Sequence, residues 1–141
     1  MCRRICVFGL WCGLVGCGFS SQTSDLDIQT VQLGQLNQML GGDGEWQKKS
    51  PTVLVDVRSA ARFAKGHIPD AMNIPVLELK AADPRLSHAY NIVVYASGWT
   101  DALSGAAFKK LIALGYQNVY DFRGGLEVWN AQGLEVEGRE E

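Results

Sequence analysis

The chain predicts an α/β domain with a central, mostly parallel sheet of about five strands flanked by helices. Short runs rich in β-branched or aromatic residues recur at 52–57, 91–95 and 118–122, each of a length that suits a strand buried on both faces. Between the second and third runs, residues 102–114 carry Leu103, Ala106, Ala107, Leu111 and Leu114 at helical spacing, and Gly115 supplies the stop. Strand, helix and strand in that order make a right-handed crossover, hence parallel pairing.

From the N-terminus, Arg3 and Arg4 precede an apolar run over residues 5–15, then Gly16, Cys17 and a polar stretch. That is the order of charge, apolar run and small residues found in a secretory signal. The run is shorter than the roughly 20 residues a helix needs to cross a bilayer. Leu14-Val15-Gly16-Cys17 is similar to the lipobox of bacterial lipoproteins. The resemblance implies a signal over 1–16, lipidation of Cys17, and attachment to the bacterial cell envelope facing the periplasm. Gly18 after the cysteine implies the outer membrane. Residues 17–27 read as a polar tether, 28–138 as the domain and 139–141 as a charged tail.

All four cysteines, Cys2, Cys6, Cys12 and Cys17, fall in this leading segment. The domain itself therefore has no disulfide and no thiol, and its stability must come from an ordinary core. Lys and Arg number 13 against 15 Asp and Glu, and without Arg3 and Arg4 the balance is −4. No basic patch suggests nucleic acid as a partner. No cofactor or metal is expected, and there is no internal repeat or second domain. The expected state is a monomer.

Within the domain, a short strand is predicted near 27–29 and a helix over 30–40, followed by a flexible turn at Gly41, Gly42 and Gly44 before Ser50-Pro51. Asp56 and Arg58 occupy alternate positions at a strand end, so they share a face and pair. Gly66 permits a tight turn, while Pro69 and Pro75 stiffen the path around the next short strand. Gly124-Gly125 allows a loop to approach the centre ahead of a 126–131 helix whose Trp129 is a core residue. His67 lies in a turn motif and reads as a hydrogen-bonded structural histidine rather than a catalytic one. His88 sits in a polar loop.

Three segments together resemble the rhodanese-like domain family over nearly all of 28–136. Residues 53–58, with Phe63 and the run Gly66-His67-Ile68-Pro69-Asp70-Ala71-Met72-Asn73-Ile74-Pro75, are similar to its first signature. Gly124-Gly125-Leu126-Glu127-Val128-Trp129, with Gly133 and Val136, is similar to its closing signature, and Tyr95 ends the central strand between them. The resemblance implies the rhodanese-like fold and sulfurtransferase ancestry.

It also implies a nucleophilic cysteine directly after the central strand, where a loop of inward-pointing amides lowers the thiol pKa. This chain has Ala96 there, followed by Ser97, Gly98, Trp99, Thr100 and Asp101. No Lys or Arg occurs between Tyr95 and Lys109, where the family usually has an arginine that holds an anion. Asp101 adds a negative charge instead and is expected to cap the helix, or to place its carboxylate in the amide nest. Trp99 either covers the pocket or offers a contact surface. Arg62 stands where the family often has an acidic residue.

The expectation is therefore a domain that has lost sulfurtransferase activity and serves as a binding or regulatory module. Its pocket would lie at 96–101, and its partner would be a protein or a small anionic or sulfur-containing ligand. The alternative is an enzyme with a divergent, non-thiol loop built around Asp101.

Overall fold

A computed structural model describes residues 27–41 and 50–138. The segments expected to be a signal and a charged tail, with Cys17, most of the expected tether, Gly42 and Gly44, lie outside the described residues. Four strands, β1 (Thr52–Asp56), β2 (Met72–Asn73), β3 (Asn91–Tyr95) and β4 (Val119–Phe122), form an all-parallel sheet in the order β2-β1-β3-β4. The register pairs Val55 with Val94 and Val94 with Asp121. The fifth strand expected near 27–29 contracts to one parallel bridge between Thr30 and Asp121. Val31 N donates to Asp121 O at 3.0 Å, and Asp121 N donates to Gln29 O at 2.8 Å. The chain turns directly from this bridge into helix α1 (Leu33–Leu40), which leaves no length for a ladder and starts the helix later than predicted.

Helices α2 (Ala60–Lys65), α3 (Leu103–Ala113) and α4 (Gly125–Ala131) complete the fold. Alternate residues of β3 feed opposite cores, as a period of two requires. Ile92 and Val94 pack with Val55, Val57, Phe108 and Leu111 on the α3 side. Val93 and Tyr95 pack with Leu36, Leu54, Ile68, Phe122 and Trp129 on the other. Trp129 is a core residue as predicted, and its indole N–H donates to Glu135 O at 2.7 Å, so its one polar atom is satisfied.

Asp121 breaks this apolar pattern. It is fully buried, its Oδ1 has no hydrogen-bond partner among the described residues, and Arg123 Nη1 approaches Oδ2 only to 3.5 Å. Ser104 Oγ on α3 is likewise buried without a partner among them. Burial pushes the Asp121 carboxyl up, and the charge of Arg123 offsets only part of that. The folded chain thus holds a proton that the unfolded chain has released, so stability falls as pH rises from about 4, the unfolded value, through the raised one. Asp121→Asn is expected to stabilise the domain by on the order of 1 kcal/mol at pH 7, by removing a poorly paired buried charge. Its thermal midpoint should also vary less across that range. Thermal melts at pH 4 to 8 check this, and a lower midpoint at pH 7 would contradict it.

Candidate ligand-binding loop

The site is assembled at the carboxyl edge of the sheet, where β3 runs into the loop that leads to α3. Tyr95 closes the strand, fully buried, and its hydroxyl accepts from Ile68 N at 3.0 Å. Burial pushes that hydroxyl far above the usual tyrosine range, so it stays neutral. Ala96 follows, with 1% of its surface exposed and its methyl group in the α3-side core.

The first turn of α4 fastens this loop from the side. Leu126 N donates to Ala96 O at 3.1 Å, and Glu127 N donates to Ser97 O at 2.8 Å. Gly125 makes the approach possible, since its φ is +54° and a Cβ there would meet the carbonyl oxygen of Ala96. The close approach expected of Gly124-Gly125 is thus observed at Gly125.

Asp101 folds back into its own loop. Its Oδ2 accepts from Ser97 N at 3.3 Å, its Oδ1 accepts from Leu103 N at 3.1 Å, and its own N–H closes a turn onto Gly98 O at 3.0 Å. Asp101 is not the N-cap expected of it: the cap position of α3 is Ala102, which makes no side-chain cap bond, and Asp101 stands one residue earlier with its Oδ1 on the amide of Leu103, the first residue of the helix. The Ser97 amide is occupied by the same carboxylate. Arg62 Nη1 on α2 stands 3.8 Å from Oδ2. Burial acts to raise the Asp101 carboxyl. The bonds from Leu103 and Ser97, with the charge of Arg62, outweigh burial and hold the carboxyl below its ordinary value, so Asp101 is ionised at neutral pH.

Two features were not visible in the sequence. Arg62 and Asp101, read there as unrelated departures, are partners. Glu127 belongs to the closing signature in the sequence, yet its side chain lies against Gly98, where a Cβ would meet its carboxylate. A carboxylate shortly after a glycine pair was the only available signal. Trp99 rests against Gly124, with its Cζ2 3.5 Å from where a Cβ would stand, and keeps 51% of its surface exposed. Thr100 is exposed beside it.

The structural motif residues do what their spacing suggests. Arg58 Nε and Nη2 reach the Asp56 carboxylate at 3.0 and 2.6 Å, and Nη2 also donates to Gly66 O at 2.7 Å. Burial tends to lower the Arg58 pKa, but Asp56 outweighs it and the guanidinium ends above its ordinary value. His67 exchanges backbone bonds with Glu137, stacks on Phe63 with ring centroids 3.7 Å apart, and places Nδ1 2.9 Å from Phe63 O. These are structural contacts. Pro69 follows in the turn that Ala71 N closes onto Ile68 O at 3.1 Å. Among the described residues, no group of three or more His, Cys, Asp or Glu side chains is placed to hold a metal.

A parallel sheet covered on both faces, with a strand-to-helix loop pinned by a second helix start, defines an α/β domain whose carboxyl edge carries the site. Comparison with known proteins supplies the family. The profile described as "Rhodanese-like domain" matches residues 33–132, and the chain belongs to that family. It is 30% identical over 84 residues to a sulfurtransferase of Allochromatium vinosum, covering 60% of this chain and 77% of that one. It is 35% identical over 83 residues to the adenylyltransferase and sulfurtransferase uba4 of Ogataea parapolymorpha, of which it spans only 20%. The BH2092 protein of Bacillus halodurans superposes with a TM-score of 0.65 at 29% identity, over 78% of this chain and 77% of that one.

Proposed function

We propose that this chain is a rhodanese-like domain without sulfur transfer, acting as a binding or regulatory module held at the bacterial cell envelope by a lipid on Cys17. One observation carries the reading. The position where the family resemblance implies a nucleophile is a buried methyl group, Ala96, and the loop beyond it is closed from within by an ionised carboxylate on Ser97 N. No residue after Cys17 has a thiol, and no other side chain carries sulfur as a persulfide. The enzymatic alternative is less well supported. Asp101 is deprotonated and its oxygens are engaged by two backbone amides, so it is neither a proton donor at neutral pH nor a strong base. A small anion is the less favoured ligand for the same reason, and a protein partner is the better fit.

The test is intact-protein mass after incubation of the domain from Ser21 onward with thiosulfate. No added sulfur is expected. A stable gain of one sulfur atom would sink the reading.

A further inference from the structure

Strand β1 is covered unevenly. On one side β3 pairs with all of Thr52–Asp56, whereas on the other β2 pairs only with Val55 and Asp56. Successive residues of a parallel strand turn their backbone N–H and C=O to opposite neighbours. Pro51 O accepts from Asn91 N and Val57 N donates to Tyr95 O, both on the β3 side, while Asp56 O accepts from Ile74 N on the β2 side. Counting back by two, Leu54 and Thr52 also face the β2 side. No backbone bond reaches the Leu54 N–H or the Thr52 carbonyl there among the described residues. Leu54 is 2% exposed, so its N–H is shut away from bulk water and costs free energy until an acceptor arrives.

The gap has a local cause. Asp70 holds φ at +60°, and Ala71 N closes a turn onto Ile68 O, so pairing with β1 begins only at Met72. Beside the uncovered stretch lies a cavity of about 280 Å³. It straddles the sheet edge: Leu40 and Leu54 on its wall belong to one core, Val53 and Met72 to the other. Asp70 is the one charged residue lining it, is exposed, and makes no ion pair among the described residues. This is the amino end of β1, whereas the 96–101 loop leaves the carboxyl end of β3.

We propose that this gap binds an extended segment of a partner protein, two adjacent apolar residues beside a lysine or arginine, which pairs with β1 as an added strand. The site is separate from the 96–101 loop and does not depend on how that loop is read. The segment's backbone meets the Leu54 N–H and the Thr52 C=O, the exchange through which strand addition gives affinity. Its side chains alternate across the sheet, so one apolar residue meets Leu40 and Leu54 and the next meets Val53 and Met72. Its cation meets the Asp70 carboxylate, which an acidic segment would face unscreened. Size sets a limit as well. The cavity is close to the lower bound of roughly 300 Å³ for ligand pockets, which leaves room for a single strand and not for a folded surface.

The experiment titrates the nitrogen-15-labelled full chain with a capped peptide, Gly-Lys-Val-Leu-Gly-Gly, and follows the amide resonances. One control peptide has glutamate in place of lysine, and another is methylated at the valine and leucine nitrogens, which removes their N–H groups and keeps their side chains. The Leu54 amide is expected to move downfield and saturate, while the amides of 97–101 stay in place. Both controls should bind at least about fivefold more weakly, and Asp70→Asn and Met72→Ser should each weaken binding by about fivefold. Asparagine accepts the left-handed backbone at position 70, and thermal midpoints confirm that each variant is folded. Absence of binding, equal binding of the methylated peptide, preference for glutamate, unchanged affinity in Asp70→Asn, or shifts confined to 97–101 would each overturn the proposal. A Leu54 amide already hydrogen-bonded in the free chain would show that the chain fills its own gap, and would overturn it equally.

Discussion

Placing cysteine at position 96 is expected to leave thiosulfate-to-cyanide sulfur transfer close to background, and adding Asp101→Ser is expected to raise it by at least about tenfold over the single variant. A reactive thiol needs amides and positive charge to stabilise its anion, and a nearby carboxylate works against that anion. With Asp101 in place, Ser97 N is already bonded at 3.3 Å by an ionised oxygen. Serine keeps a hydroxyl that can accept from Leu103 N, so the first amide of α3 keeps a partner. It also releases Arg62, 3.8 Å from the lost carboxylate, to face an incoming anion. Thiocyanate production measures both variants. A fully active single variant would show that Asp101 does not block the loop, and silence in a folded double variant would show that the cradle itself is gone.

Arg58→Ala is expected to cost about 3–5 kcal/mol, the range for a buried ion pair that loses one partner. Asp56 is fully buried and would be left without the guanidinium that now reaches it at 2.6 Å. The same substitution releases Gly66 O, which ties the end of α2 to the strand end. Replacing both partners, as Asp56→Asn with Arg58→Met, should recover much of the loss because no unpaired charge is left. Urea denaturation at pH 7 measures all three variants. A loss under about 1 kcal/mol for Arg58→Ala would show that the pair does not hold the strand end.

Much of this architecture could be read from local pattern. The β-branched runs that became β1, β3 and β4 are short and apolar because parallel strands are covered on both faces. The Asp56–Arg58 pair followed from alternate spacing, and Gly125 from a glycine pair that needs no Cβ. The N-terminal strand was overestimated because a single bridge at Thr30 leaves no periodic signature. Buried Asp121 stands in a run that reads as an ordinary strand, and nothing local marks its unpaired oxygen.

By itself, then, the sequence determined the fold class, the positions of the main strands and of α3, and the absence of any thiol beyond Cys17. These depend on residue identity and short-range periodicity, which the chain carries in order. Only the tertiary structure decided that Arg62 faces Asp101, that Asp101 closes onto Ser97, that Glu127 lies on Gly98, and that Trp99 rests on Gly124. Those contacts join segments far apart along the chain, or depend on how a loop turns. They exist only once parallel packing has brought the strand ends and helix starts together.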